Sequence, residues 1–135
     1  MSLDIQQRDR EGIAVLDLKG RITMGQESGV LREKVAAVCA AGSKYVVLNM
    51  GQVDYIDSTG LGAMVMCATS QRKAGGILKL LNLNRRNIEL LVMTKLATVF
   101  DLFTDEQDAV NSFFPDRAIK TFDILKFVEQ MKKEE

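Results

Sequence analysis

The residues best suited to chemistry cluster in one stretch, 53-VDYIDSTGLGAMV-65. Two carboxylates, Asp54 and Asp57, come just before two hydroxyls, Ser58 and Thr59, and two glycines, Gly60 and Gly62, follow. Four kinds of chemistry fit such a corner: a nucleophile, a phosphate cradle, a phosphate acceptor, or a helix cap. The chain contains no histidine, so a Ser-His-Asp or Cys-His mechanism cannot form within it. Ile56 stands where a G-x-S-x-G elbow needs glycine, and no S-x-x-K surrounds Ser58. The Asp-Ser-Thr-Gly order also misses the aspartic-protease pattern, which needs glycine two residues after the aspartate and a second facing carboxylate. A nucleotide cradle is weakened by Val65, which occupies the third small-residue position of a G-x-G-x-x-G fingerprint. The start of a helix still offers an anion free N–H groups and the positive end of the dipole. Taken alone, Asp57, Ser58 or Thr59 is what a helix N-terminus requires of its cap, a contribution of about 0.5–2 kcal/mol.

The elements around this corner decide how it is held. The run 45-YVVLNM-50 is continuously apolar, as expected of a strand buried on both faces. The corner follows it and opens a helix with Leu61, Met64, Val65 and Ala68 on its apolar stripe, ended by Gly75 and Gly76. Upstream, residues 4–7 predict a short strand, 8-RDREG-12 a hairpin turn and 13-IAVLDLKG-20 a second strand. Leu31, Val35, Val38 and Cys39 recur at helical spacing, and Gly42 suits the left-handed position after that helix. Downstream, 77-ILKLLNL-83 predicts a strand, and Asn84 caps a helix lined by Ile88, Leu91 and Val92. Residues 96-LATVF-100 predict a last strand. Thr104 and Gln107 form a capping box before a helix carrying Ala109, Val110 and Phe113. The order β-β-α-β-α-β-α-β-α predicts an α/β layer with mostly parallel central strands. Residues 116–135 follow the single proline, Pro115, and predict a fifth helix with Ile124, Leu125, Val128 and Met131 on one stripe. That stripe suits packing on its own domain, or contact with a partner or a second copy.

Composition narrows the function classes. The chain has 135 residues, 47% of them hydrophobic, which suits one globular domain with its own core. Lys plus Arg and Asp plus Glu number 18 each. A formally neutral chain gives no support for binding nucleic acid through its phosphates. No apolar run approaches the roughly 20 residues of a membrane span, and a cytoplasmic location is expected. Cys39 and Cys67 fall in helical apolar patterns and read as two buried thiols, with no disulfide or metal site and no cofactor implied. The seven methionines, Met24, Met64 and Met93 among them, read as core filler.

With the order of elements and the corner together, residues 4–114 resemble a STAS domain, the fold of bacterial anti-sigma factor antagonists. The resemblance rests on 53-VDYIDSTGLGAMV-65 after a buried strand, on 77-ILKLLNLN-84, and on the closing 98-TVFDLFTDEQDAVNSF-113. It implies a mixed, mostly parallel sheet of four to five strands with four helices packed against it. Residues 1–114 would form this domain and residues 115–135 a helical extension. It also implies a non-enzymatic phosphoprotein that regulates transcription by protein binding. Ser58 matches the family's regulatory phosphorylation site, with Thr59 as second choice. Asp54, Asp57, Ser58, Thr59, Gly60 and Gly62 would meet the partner, an anti-sigma factor with serine kinase activity. The glycines would let the partner's nucleotide site come close to Ser58. The unphosphorylated form would bind and the phosphorylated form would not. The C-terminal extension leaves the oligomeric state, a homodimer included, open. Two other readings stand beside this one: a scaffold in a stressosome-like assembly, and a STAS module that binds a nucleotide or lipid.

Overall fold

The computed structural model describes residues 3–134. The chain opens on a hairpin of β1 (Leu3–Arg10) and β2 (Ile13–Ile22), paired antiparallel. The connecting residues Glu11 and Gly12 both have positive φ, 55° and 86°. This is the two-residue turn whose twist suits a hairpin. From β2 onward the chain alternates α1 (Gln26–Ala40), β3 (Tyr45–Ile56), α2 (Ser58–Lys73), β4 (Ile77–Leu81), α3 (Arg85–Met93), β5 (Leu102–Phe103), α4 (Glu106–Asn111) and α5 (Ile124–Glu134). The strands lie side by side in the order β1-β2-β3-β4-β5, and all pairs after the first are parallel.

The pleat of the sheet splits the apolar residues into two cores. Leu16, Leu18, Leu48, Met50 and Leu80 face Leu31, Val35, Leu61, Met64 and Leu91 of α1, α2 and α3. On the other face Ile13, Val15, Val47, Leu81 and Phe103 pack against Ala109 and Val110 of α4. This explains the unbroken apolar run of β3, in which Val46, Val47 and Leu48 are all fully buried. An ion-pair cluster ties α4 to the hairpin: Arg8 donates to both Asp17 and Glu106, and Arg10 also reaches Glu106.

Four expectations change in detail. The first strand runs on through Arg10, which pairs with Ile13, so the turn is Glu11 and Gly12 rather than residues 8–12. Residues 96–100 form a turn rather than a strand. Lys95 enters the left-handed region at φ 62°, and Val99 N–H donates to the Leu96 carbonyl. The strand follows at Leu102 and Phe103, which pair with Leu80 and Leu81. The cap of α4 is Asp105, whose carboxylate accepts from Asp108 N–H at 3.0 Å, and not Thr104 one residue earlier. A carboxylate caps at least as well as a hydroxyl, and here it sits where the backbone first turns helical. Of the two cysteines, Cys67 is buried but Cys39 is only half-buried, and both are free.

The segment after Pro115 folds back on the domain. Arg117 pairs with Glu11 at 2.8 Å, and Lys120 N–H reaches the Asp108 carboxylate at 3.3 Å. Helix α5 turns Ile124, Phe127, Val128 and Met131 inward, all half-buried, while Leu125 is 74% exposed. Phe127, whose ring lies 5.9 Å from that of Phe122, takes the place expected of Leu125. At its far end α5 is tied to the start of α3 by an ion pair between Glu134 and Arg85.

Candidate functional site

In a sheet of parallel strands every strand-to-helix corner lies at the same end, so the starts of α1, α2 and α3 gather there. Strand β3 delivers the site. It runs six residues beyond the apolar segment 45–50, up to Ile56. Between the pairs Asp17–Asn49 and Ile22–Ile56, β2 advances five residues and β3 seven. Strand β3 therefore carries two extra residues. One of them is Asp54, because Val53 pairs with Gly20 and Tyr55 with Arg21. Bulges of this kind bend a strand and re-aim its side chains. The carbonyl of Val53, inside the bulged stretch, is held by the side-chain amides of Asn84 and Asn87 at 3.2 and 3.1 Å. The start of α3 thus braces the bulge.

Asp57 is the N-cap of α2, with φ −93° and ψ −179°. Its Oδ1 accepts from Gly60 N–H at 2.7 Å and its Oδ2 from Met24 N–H at 3.0 Å. Its own N–H donates to the Ile22 carbonyl at 3.2 Å. One half-buried carboxylate therefore joins the end of β2 to the start of α2. The Gly60 N–H, followed by those of Met24 and Thr59, holds this carboxyl below the usual carboxylate range, against the opposing effect of burial.

Because Asp57 takes the capping role, Ser58 is the first residue of the helix and its hydroxyl is not the cap. Ser58 and Thr59 are both exposed, and among the described residues neither hydroxyl has a hydrogen-bond partner. The two glycines separate in role. Gly60 is buried, and a Cβ there would overlap the Ile22 backbone carbonyl. Its lack of a side chain serves the contact between α2 and β2. Gly62 is exposed, and a Cβ there would meet nothing within 4 Å. The surface thus holds Asp54, Ser58, Thr59 and Gly62, with Asp57 and Gly60 supporting it from beneath.

Met24 was missed as a site residue. It reads in the sequence as core filler, yet its side chain is 73% exposed while its backbone is fixed to Asp57. Met93 is also outside the core, at 76% exposure, whereas Met64 is fully buried. Only the position of Met24, just past a strand at the helix-start end of a parallel sheet, could have flagged it. Among the described residues there is no group of His, Cys, Asp and Glu able to hold a metal. No helix there is long and apolar enough to cross a membrane.

Residues 4–109 match the model of the STAS domain. The anti-sigma-B factor antagonist of Bacillus subtilis (strain 168) is 31% identical over 110 residues, covering 82% of this chain and 99% of that one. Among solved structures, an anti-sigma factor antagonist from Mycobacterium paratuberculosis superposes with a TM-score of 0.72 at 21% identity, covering 82% of this chain and 92% of that one. The Bacillus cell fate determinant SpoIIAA in its phosphorylated form superposes with a TM-score of 0.63 at 16% identity, covering 82% of this chain and 99% of that one. These two likenesses concern the fold alone.

Proposed function

The chain belongs to the STAS domain family, and on that premise we propose that it is an anti-sigma factor antagonist switched off by phosphorylation of Ser58. Its partner is an anti-sigma factor with serine kinase activity, and it acts in the cytoplasm on transcription through protein binding. The name of the Bacillus subtilis relative supports the class of function. The observation that carries the switch is the free, exposed Ser58 hydroxyl at the first position of α2, beside a cap that does not depend on it. A phosphate brings about −1.5 to −2 charges at neutral pH. At a helix N-terminus the dipole favours such a group, so the domain stays folded. Asp54 and Asp57 already make the corner acidic, and the added charge in a close interface costs several kcal/mol. That is enough to remove a complex of micromolar affinity at cellular concentrations. Thr59, equally exposed, is the second acceptor.

The test is incubation with the kinase partner and ATP, followed by mapping of the phosphate by mass spectrometry. Phosphate on Ser58 supports the switch; none, or phosphate away from Ser58 and Thr59, refutes it. By calorimetry Ser58→Ala binds the partner whether or not ATP is present, whereas Ser58→Asp binds at least tenfold more weakly.

A further inference from the structure

Strand β4, 77-ILKLL-81, carries a lysine where its neighbours are apolar. Lys79 is 7% exposed and sits on the α4 side of the sheet. Its ammonium lies 4.5 Å from the centre of the Phe113 ring and 5.6 Å from that of Phe103. It donates to Ser112 Oγ at 2.8 Å and to the Ser112 carbonyl at 3.3 Å. Ser112 is the C-cap of α4, so the charge also meets the negative end of that helix. A structural role thus accounts for two of its three N–H groups. Among the described residues the third faces only the Asp101 carboxylate, at 3.9 Å, beyond hydrogen-bond reach and itself 68% exposed. Burial pulls the ammonium below the usual lysine range, with Asp101 opposing.

This partly coordinated cation lines a cavity of about 510 Å³. Phe100, Leu102, Ile119, Phe122 and Ile124 form its apolar wall. Three of these, Ile119, Phe122 and Ile124, belong to the extension and lie outside residues 4–109, the part that matches the STAS domain. The extension therefore supplies one wall of a half-open cavity beside the buried lysine. A cavity of this size, with apolar walls and the Lys79–Asp101 pair at its polar end, is of the kind that holds a small molecule.

We infer that the cavity between the extension and the edge of the sheet binds a small apolar carboxylate, its anionic head on Lys79 and its hydrocarbon tail along Ile119, Phe122 and Ile124. The carboxylate supplies the missing partner of a desolvated ammonium and displaces Asp101 toward solvent. The chemistry calls for an anion with a short tail. An amine would meet the lysine charge, and an alcohol would leave it uncompensated.

The experiment uses the full chain and a series of acetate, butyrate and hexanoate, with hexanol and hexylamine as controls, read by thermal shift and calorimetry. Expected are melting temperatures rising in the order acetate, butyrate, hexanoate, no rise with hexylamine, and at least tenfold weaker hexanoate binding in Lys79→Met. An equal response to hexanol, or undiminished binding in Lys79→Met, overturns the proposal. Should Lys79→Met fail to fold, Ile119→Trp decides. Ile119 is a wall residue 43% exposed, so a larger side chain there fills the cavity without disturbing the core. Loss of hexanoate binding in this variant supports the site, and wild-type binding refutes it.

Discussion

Replacing Asp57 separates the cap from the acceptor. In Asp57→Ala the α2 N-terminus loses its side-chain cap, at a cost of about 1 kcal/mol. The Met24 amide also loses its acceptor. A bond to a charged group contributes about 1.5–3 kcal/mol when sheltered; water reaches this half-buried carboxylate, so about 1 kcal/mol is assigned to it. The total is about 2 kcal/mol, a fall in melting temperature of about 6 °C for a chain of this size. Asp57→Ser keeps a competent cap but does not span to Met24, and should lose about half as much. Ser58→Ala removes a hydroxyl with no partner and should stay within about 0.5 kcal/mol of wild type. The acid dependence follows from the lowered Asp57 pKa. A carboxyl lowered on folding stabilises fully above its unfolded value of about 3.9, and this is lost as pH falls through the folded value. The gap between wild type and Asp57→Ala should therefore hold from neutrality down to about pH 4 and close below it. Urea denaturation of the three variants at pH 7 and pH 3 measures this. If Ser58→Ala costs as much as Asp57→Ala, or Asp57→Ser costs nothing, Asp57 does not join the two segments as described.

The paired glycines offer a sharp contrast. Gly60→Ala drives a Cβ into the Ile22 backbone and should destabilise by about 3 kcal/mol, whereas Gly62→Ala meets open space and should gain up to about 1 kcal/mol of helix propensity; chemical denaturation compares them. Glu106→Gln removes the negative charge shared by Arg8 and Arg10 and turns one of the two accepting oxygens into a donor, and should cost about 1 kcal/mol at pH 7. Arg8 holds the Glu106 carboxyl below its usual range, so this difference should fade below about pH 4, as followed by thermal melts across pH. The Cys67 thiol is pushed up to about 11 by burial, so at pH 8 iodoacetamide should label half-buried Cys39 well ahead of it, as read by peptide mass mapping; equal rates would refute the burial argument.

The parts legible in the sequence are those set by local rules. Hydrophobic period and turn residues located the hairpin, β3, the three helices behind the sheet and the corner 57-DSTG-60. Asn84 was readable as a cap because capping depends on a few neighbouring residues. The absence of histidine by itself removes whole classes of catalysis. Contacts between distant segments were not legible in this way. Residues 96–100 have strand-forming side chains, but the chain leaves α3 through a left-handed Lys95 and pairs only at Leu102 and Phe103. Which of Asp57, Ser58 and Thr59 caps α2 was decided by the Ile22 and Met24 backbone, more than thirty residues away along the chain. The same contact made Gly60 a packing residue while Gly62 stayed free on the surface. Nothing local in 77-ILKLL-81 marks Lys79 as buried; contacts with α4 and the extension, distant in the chain, decide it. Local sequence thus determined the elements and put a hydroxyl at the start of a helix. Only tertiary packing, which brings together groups remote in the chain, left that hydroxyl free.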